Sequence, residues 1–342
     1  MTPLLAIIVP AYKSAYLREA LESILRQTDG RFRIYIGDDA SPEPVGDIVR
    51  SLGLGADKLL YHRFAENLGG TSLVRQWERC IRLSSEPWIW LFSDDDVMEP
   101  GCVAAFYREL ETAGDSFDLC RFNNNFLWME AAEHLIVENS PHPKNETGGD
   151  FLVSRLRAER ASTAQELIFS RSAWERIEGV PEFPLAWASD DAFIASLGVR
   201  RPIRGISGPR VHWRVSEQNI TRIKTARTND LKMQASRRFV EWAQQFLTQH
   251  PPSKGRLSTD EIARLTERWF FHQAYFSRRY LGFGKCLEID RFAAAVWQRP
   301  RGYGFARSLK LNCQLGGSRM LTICKRILGL PGKCLGALKQ KP

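Results

Sequence analysis

The sequence lacks several features that would assign it to a familiar class of protein. Its seven cysteines are widely spaced and form no C-x-x-C pair, which argues against a zinc site or a disulfide framework and favours reduced thiols. No apolar run approaches the roughly 18 residues of a spanning helix. No G-x-G-x-x-G follows the first predicted strand, so a dinucleotide-dependent oxidoreductase is not predicted. These absences indicate an ordinary globular protein of the cytosol.

Acidic residues are absent from one part of the chain. None follows Asp290, whereas eleven lysines and arginines do, and the first 290 residues carry 37 basic and 39 acidic side chains. The net charge of +9 therefore comes from the C-terminal segment. Its blocks of leucine and isoleucine between basic residues are typical of an amphipathic segment that lies on an anionic membrane surface. A solvated helix face or a tail without fixed structure is the alternative.

The N-terminal part alternates between predicted strands and helices. "LLAIIVP" (residues 4–10) is expected to be a buried strand and not a signal peptide. A helical pattern from residue 17 to 25, with Ser14 as a candidate N-cap, leads to a second strand, "FRIYIG" (residues 32–37). The alternation continues to "FDLCRF", which predicts a doubly wound α/β domain with a parallel sheet.

The second part of the chain is less regular. Residues 123–161 are interpreted as loops around a short helix, and "TAQELIFS" as the strand at which regular structure resumes. "WASDDAFIASLG" is interpreted as a loop that runs into a helix. Beyond Thr228 the pattern predicts long amphipathic helices.

Two acidic clusters follow predicted strands. "GDDAS" (residues 37–41) ends the second strand, and "FSDDD" (residues 92–96) follows the apolar run "PWIWL". In doubly wound sheets ligands bind at the carboxyl ends of strands, so both clusters are expected to face one crevice. Adjacent carboxylates repel, and a Mg²⁺ or Mn²⁺ ion bridging them to a diphosphate would relieve the repulsion. A solvated loop, a helix cap or an Asx-turn is the alternative for either cluster.

Four separated segments resemble one family. "IIVPAYKSAYLREALESILRQT", "FRIYIGDDAS", "ENLGG" and "WIWLFSDDDVMEPG" stand in the order and spacing of the nucleotide-binding half of a family 2 glycosyltransferase of the GT-A fold, over roughly residues 4 to 115. The resemblance implies an α/β GT-A domain with a mostly helical C-terminal extension. It also implies an inverting transferase that uses a nucleotide diphosphate sugar, usually UDP-linked, and Mn²⁺ or Mg²⁺.

The resemblance assigns the donor side residue by residue. Pro10, Ala11 and Tyr12 match the segment that lies along the nucleotide, and Asp39 matches the aspartate that contacts the base. Asp95 and Asp96 match the closing pair of the family's metal motif. Asp94 and Asp95 are expected to contact the nucleotide. Asp96 is expected to bind the metal ion directly, with Asp94 beside it as a second ligand. The family pattern begins with an aspartate where this chain has Ser93. Arg75 is expected near the diphosphate, with a surface charge as the alternative.

The family also requires a general base in its second half. "WASDDAF" supplies Asp190 and Asp191, of which Asp191 is the preferred base that takes the acceptor hydroxyl proton. The alternative is that this pair only caps the helix that follows. "VHWRVSEQNITR" resembles a later loop of the family, so His212 and Arg214 are candidates for countering charge on the departing diphosphate, or else they line a strand edge.

Together these patterns predict two regions and one activity. Residues 1–225 are expected to form the GT-A domain, with a nucleotide-sugar half at 1–122 and an acceptor half at 123–225, and residues 226–342 a helical region with the basic tail. The expected partners are a UDP-sugar, a glycan or lipid-linked acceptor of bacterial surface polysaccharide synthesis, and the cytoplasmic face of the inner membrane. A nucleotidyltransferase acting on sugar phosphates is the nearest rival. Nucleic acid is not expected as a partner, because no recognisable binding motif is present.

Overall fold

A computed structural model of the chain describes residues 4–130 and 133–298. The strands are β1 (Leu5–Ala11), β2 (Phe32–Asp38), β3 (Leu59–Arg63), β4 (Trp88–Leu91), β5 (Val97–Met98), β6 (Leu119–Glu130), β7 (Glu133–Glu138), β8 (Asn145–Glu146), β9 (Leu167–Ser170) and β10 (Ile203–Val215). The helices are α1 (Leu17–Leu25), α2 (Val45–Ser51), α3 (Leu73–Ile81), α4 (Cys102–Ala113), α5 (Gly148–Leu156), α6 (Arg171–Arg176), α7 (Ser189–Leu197), α8 (Ala226–Gln249), α9 (Thr259–Ser277) and α10 (Phe283–Trp297).

The strands form one mixed sheet in the order β3-β2-β1-β4-β9-β6-β10-β5, with β7 added to β6 and β8 to β10. Strands β3, β2, β1 and β4 are parallel, as the alternation of strands and helices predicts. Strand β9 is antiparallel to both β4 and β6, whereas β6 and β10 are parallel. The carboxyl ends of β1, β2 and β4 therefore meet at one edge of the sheet, and the residues that follow these ends share that edge.

Strand β1 is buried on both faces, as its continuous apolar run predicts. Ile7 belongs to the core that α1 and α4 cover, and Ile8 belongs to the core on the opposite face. Phe239 of α8 and Phe270 of α9 are completely buried in this second core. The C-terminal helices thus pack on the same sheet as the N-terminal elements, and the division of the chain into two domains stays a prediction.

Two local predictions were wrong. Ser14 does not cap α1, which begins at Leu17 after Tyr16; the Ser14 backbone N–H donates to the Glu43 carboxylate instead, at 2.5 Å. The asparagine run at 123–125 is part of the long strand β6. Its side chains are buried and make polar contacts there, which the polarity of the segment alone did not indicate.

Some predictions concern the thiols and the membrane. Cys80, Cys102, Cys120 and Cys286 are free thiols, and the other cysteines lie outside the described residues. Within residues 4–130 and 133–298, no helix is long and apolar enough to cross a membrane. The basic tail that predicts membrane binding lies, from residue 299 onward, outside the described residues.

Candidate functional site

The three aspartates of "FSDDD" form a buried acidic cluster, which we call the donor cluster (Asp94, Asp95 and Asp96). Strand β4 ends at Leu91, and the Phe92 backbone N–H still donates to the Ile8 carbonyl of β1, at 2.8 Å. This bond keeps the cluster beside the end of β1. The three residues are 6%, 6% and 0% exposed. A hydrophobic strand therefore delivers three carboxylates to the ligand-binding edge of the sheet, as the sequence predicts.

The segment that follows β1 supplies the partners of two of these aspartates. The backbone N–H groups of Tyr12 and Lys13 both donate to Asp94 Oδ2, each at 2.9 Å. The Lys13 ammonium lies 3.0 Å from Asp95 Oδ2. Pro10 and Ala11, the other residues expected along the nucleotide, are the last residues of β1 and are paired with the end of β2. The side chain of Tyr12 is 41% exposed at this edge.

Asp96 is the aspartate with an unused oxygen. Its Oδ1 accepts the backbone N–H of Arg214 at 2.7 Å. Its Oδ2 is buried and has no partner. Ser93 stands where the family pattern has an aspartate. An unpartnered buried carboxylate oxygen is costly unless a cation or a proton reaches it.

Burial and mutual repulsion both disfavour ionisation in the donor cluster. Burial, followed by the charge of Asp95, raises the pKa of Asp94 to about 6 and holds the pKa of Asp96 well above its usual range. A bound cation would offset the repulsion between the carboxylates and so favour their ionised forms. Among the described residues, no group of three or more His, Cys, Asp or Glu side chains is arranged to hold a metal ion. Mg²⁺ characteristically takes one or two carboxylates and completes its shell with phosphate oxygens and water, so Asp96 and Asp94 fit such an ion.

Arg214 of β10 binds the donor cluster through both its backbone and its side chain. The side chain is completely buried, and its Nε donates to the Asp95 carbonyl at 2.6 Å. Its Nη2 lies 2.6 Å from Glu19 Oε2, and the guanidinium stacks 4.2 Å from the centre of the Tyr16 ring. Arg214 thus ties β10 to the loop after β4, and its charge stands beside the cluster.

The other two candidates for the diphosphate lie in different environments. His212 Nε2 is 3.2 Å from Glu99 Oε1. Burial lowers the pKa of His212 below its usual value, so its ring is neutral at pH 7. Arg75 is exposed on α3, where its backbone N–H donates to Ser72 Oγ at 3.1 Å. These contacts leave the side chain of Arg75 at the surface and place His212 beside Glu99.

Asp39, the candidate base reader, is bound to the "ENLGG" loop. Its Oδ1 accepts the Leu68 N–H at 2.8 Å, and its Oδ2 accepts the Gly69 N–H at 2.9 Å. Arg79 of α3 donates to Oδ1 as well. A Cβ at Gly69 would lie 2.6 Å from Asp39 Oδ2, so only glycine permits this close approach. Sequence reasoning missed Arg79, because a charge at a helical position carries no sign of its partner across the crevice.

Asp38, the neighbour of Asp39, is a structural residue. It is completely buried and accepts the Ser41 N–H at 2.8 Å, the Tyr61 hydroxyl at 2.6 Å and the Arg63 guanidinium at 2.7 Å. The bond to Ser41 closes the turn after β2, as the Asx-turn alternative predicts. Ala40, between the two turn positions, adopts the left-handed φ of 52°. Such a conformation at a non-glycine residue is typical of a functional loop.

The second acidic group, which we call the acceptor pair (Asp190 and Asp191), lies in the first turn of α7. The chain reaches it through left-handed backbone at Leu185, with φ 61°, and at Ala188, with φ 64°. The N-terminal end of a helix favours negative charge, which accounts for carboxylates at this position. The loop before α7 is held against α3 by the Val180 N–H, which donates to Glu78 at 3.1 Å. Helix α3 therefore contacts both this loop and, through Arg79, the loop that holds Asp39.

The two carboxylates of the acceptor pair have different surroundings. Arg155 of α5 binds Asp191 with two nitrogens, Nε to Oδ1 at 2.6 Å and Nη2 to Oδ2 at 3.2 Å. Burial, and then the charge of Asp191, raises the pKa of Asp190 to about 7. Asp190 is half-buried, whereas Asp191 is 4% exposed. Asp191 is thus a fixed carboxylate, and Asp190 is the member of the pair whose pKa is raised. Sequence reasoning did not find Arg155.

Comparisons with known proteins agree with the predicted family. Residues 6–146 match the model of the family described as glycosyl transferase family 2. GlyG, a glycosyltransferase from Streptococcus pneumoniae serotype 4, is 23% identical over 146 residues, which are 40% of this chain and 47% of that protein. An uncharacterized glycosyltransferase from Rickettsia typhi is 35% identical over 95 residues, 28% of each chain. The chain thus spans about half, or less, of the curated relatives it matches.

Solved structures resemble a larger part of the chain. TarS 1-349 from S. aureus, in complex with UDP-GlcNAc, aligns with a TM-score of 0.62 and 14% identity over 86% of this chain and 82% of that chain. The mannosyltransferase PcManGT from Pyrobaculum calidifontis, in complex with GDP-Man and Mn²⁺, aligns with a TM-score of 0.50 and 14% identity over 92% and 81%. Together with the mixed ten-stranded sheet of the described residues, these likenesses confirm the predicted GT-A fold and its helical C-terminal region.

Proposed function

We propose that this chain, residues 6–146 of which match the model of glycosyl transferase family 2, is a transferase of that family that moves a sugar from a UDP-linked donor to a hydroxyl of a glycan or lipid-linked acceptor, with inversion at the anomeric carbon. The observation that carries the proposal is the unpartnered, buried Oδ2 of Asp96 beside two further carboxylates at the edge where β1, β2 and β4 end. This arrangement suits a cation that is completed by diphosphate oxygens.

We assign the donor side to the ends of β1, β2 and β4. Pro10, Ala11 and Tyr12 line the nucleotide, and Asp39 accepts the N3–H of the pyrimidine base. Asp39 is held for this role by the loop amides of Leu68 and Gly69. A structural neighbour with UDP-GlcNAc supports a uridine donor, and one with GDP-Man shows that this fold also accommodates a guanosine donor.

Asp96 and Asp94 are the proposed metal ligands, and Mn²⁺ or Mg²⁺ is the proposed ion. Support comes from the raised pKa of both carboxyls and from Mn²⁺ in the Pyrobaculum neighbour. Bound there, the ion would counter the charge that develops on the leaving diphosphate. Arg214 adds a fixed positive charge to the same side, and Arg75 and His212 are the further candidates for contact with the diphosphate.

The acceptor pair is the proposed proton acceptor. The acceptor hydroxyl loses its proton to the pair as its oxygen bonds to the anomeric carbon, and the bond from that carbon to the diphosphate oxygen breaks. Arg155 holds and orients Asp191, while the proton comes to rest on Asp190, whose pKa is raised to about 7. The preference for Asp191 that the sequence suggests thus changes to a division of work within the pair. A carboxyl that titrates near neutral pH is well matched to this task.

The charge of the chain supports a proposal for where the enzyme is located in the cell and for the class of its acceptor. The eleven basic residues after Asp290, with no acidic residue among them, support attachment to an anionic membrane surface. We therefore place the enzyme at the cytoplasmic face of the inner membrane, where a lipid-linked saccharide acceptor of surface polysaccharide synthesis resides. A vesicle pelleting assay tests this attachment, which we expect to be lost when residues 301–342 are removed.

The donor is identified by thermal shift with a panel of UDP-, GDP- and dTDP-sugars in the presence of Mn²⁺. A bound donor stabilises the folded state by mass action, so one UDP-sugar should raise the Tm more than the others and should release UDP when an acceptor is supplied. Stabilisation by none of the sugars would contradict the proposal. Release of pyrophosphate from a nucleoside triphosphate and a sugar phosphate would instead identify a nucleotidyltransferase.

A further inference from the structure

We propose that Lys13 is an internal cation of the donor cluster that competes with the divalent metal ion, so that metal and diphosphate must together displace its ammonium from Asp95. This inference rests on the metal site of the proposed function and adds a residue that the family assignment does not provide. The pattern "PAYKS" places a lysine directly after the nucleotide segment, and its side chain turns back on the acidic cluster.

The contacts of Lys13 show that its position is built into the cluster. Its backbone N–H donates to Asp94 Oδ2 at 2.9 Å, and its ammonium reaches Asp95 Oδ2 at 3.0 Å. One residue therefore binds two adjacent carboxylates through two different groups. The backbone bond fixes the base of the side chain, while the ammonium remains at the end of four rotatable methylenes, so it can leave without disturbing the loop.

The exposure of the two partners favours an exchange of cations. The Lys13 side chain is 28% exposed, whereas that of Asp95 is 8% exposed, so the ammonium approaches the buried carboxylates from the solvent side. It does not satisfy Asp96 Oδ2, which remains without a partner. The cluster thus carries three carboxylates, one ammonium at Asp95 and, at Asp96, a buried oxygen without a partner. A divalent ion at Asp96 and Asp94 would stand beside the ammonium and repel it.

Diphosphate completes the exchange. Its oxygens provide ligands for the metal and an anionic partner for the ammonium that has left Asp95, so metal and nucleotide should bind with positive cooperativity. Arg214, the other cation at the cluster, cannot perform this exchange because it is completely buried and is bound to Glu19 and to the Asp95 carbonyl. Lys13 is therefore the cation of the cluster that is free to move.

The test measures Mn²⁺ binding directly, by electron paramagnetic resonance of free Mn²⁺ and by calorimetry, with and without UDP. We expect Lys13→Met to bind Mn²⁺ alone roughly three- to tenfold more tightly than the wild type, because a partly exposed ion pair no longer opposes the metal. The gain in Mn²⁺ affinity that UDP provides should shrink by a similar factor. Lys13→Arg should behave as the wild type, and so should the control Lys144→Met, which removes a surface lysine paired with Glu109.

The outcomes separate this inference from the function on which it rests. If the wild type binds Mn²⁺ and Lys13→Met binds it with equal or lower affinity, the competition is absent although the metal site stands. If the wild type binds no Mn²⁺ even with UDP, the metal site and the competition are both wrong. Circular dichroism checks that the variant folds. A Mg²⁺ titration of wild-type protein with ¹³Cε-labelled lysine needs no variant: the Lys13 signal should shift as the metal binds, and an unchanged signal would overturn the inference.

Discussion

The donor cluster and the acceptor pair place neighbouring carboxylates in similar positions, yet the protein neutralises them differently. In the donor cluster, two backbone N–H groups bind Asp94 and a partly exposed lysine binds Asp95. Asp96 keeps a buried oxygen that has no partner. In the acceptor pair, Arg155 binds Asp191 through both oxygens. Arg214 is the fixed cation beside the first group, which still keeps one buried oxygen without a donor, whereas the second has one carboxylate bound at both oxygens.

This difference indicates which chemistry each group suits. Retained charge, together with an oxygen that has no donor, is what a divalent ion needs from a partly formed site. A fixed ionised Asp191 raises the pKa of Asp190 through its own charge, in addition to the effect of burial. One carboxyl of the pair then holds a proton at pH values where an isolated aspartate does not. Two acidic runs that look alike in sequence thus become a cation site and a proton acceptor.

The largest expected effect comes from removing the proton acceptor. Asp190→Asn should lower kcat by about 10²- to 10⁴-fold, the usual contribution of a positioned general base. The affinity for the nucleotide sugar should stay unchanged, because the donor cluster is intact. Calorimetry of UDP binding and a UDP-release assay measure the two quantities on the same preparation.

Asp191→Asn is the matched variant for that comparison. It should lower kcat less than Asp190→Asn and should shift the pH dependence of kcat to a lower midpoint, since the neighbouring charge that raises the pKa of Asp190 is gone. Turnover that is lost in Asp191→Asn and kept in Asp190→Asn would return the role of base to Asp191 and contradict the division of work proposed for the pair.

A smaller effect is expected when the open oxygen of the donor cluster is changed. Asp96→Asn keeps the size of the side chain and removes its charge, so Mn²⁺ affinity should fall by about tenfold or more. Donor affinity should fall with it in the presence of Mn²⁺ and should hardly change in its absence. The exposed Asp57→Asn is the matched control. Equal metal affinity in the wild type and Asp96→Asn would separate the cluster from metal binding.

The sequence predicted the position of both acidic clusters at the ends of parallel strands, because the signals for that position are local. An apolar run followed at once by "SDDD" or "GDDAS" combines a buried strand with carboxylates at its end, and the parallel order of β1, β2 and β4 then brings these ends together. Each strand and the residues directly after it were therefore enough to predict a crevice at this edge. The assignment of a metal ion to Asp96 came from the family resemblance and stays a prediction.

The partners of these carboxylates could not be predicted, because they are distant in the chain. Arg155 and Asp191 are 36 residues apart, Arg79 and Asp39 are 40 apart, and Lys13 and Asp95 are 82 apart. A basic residue at a helix or loop position gives no sign of which carboxylate it will meet after folding. These pairs decide which carboxylate is held, which is open and which can take a proton.

The irregular reading of residues 123–161 has a related cause. Strand β6 carries three successive asparagines, whose polarity predicts a loop. In the folded chain Asn124 donates to buried Glu166, and the Asn123 side chain accepts the His142 N–H at 2.7 Å. The polar groups are thus satisfied inside the protein by residues of a later segment, and tertiary contacts override the local preference.

The smallest expected effect concerns folding stability and tests the electrostatics of the acceptor pair apart from catalysis. The pKa of Asp190 is raised to about 7 from an ordinary 3.8, so the folded protein binds this proton more tightly than the unfolded chain does. The resulting destabilisation is absent below about pH 4, grows as the pH rises to about 7 and is constant above it. Asp190→Asn cannot ionise, so it should be more stable than the wild type at pH 8, by on the order of 1 kcal/mol, and nearly equal to it at pH 4. Urea unfolding at both pH values measures the difference.

Asp191→Asn should instead be less stable than the wild type at both pH values, because Arg155 loses its partner. A stability difference for Asp190→Asn that is the same at both pH values would show that this carboxyl titrates normally and that the two acidic groups differ less than their contacts indicate.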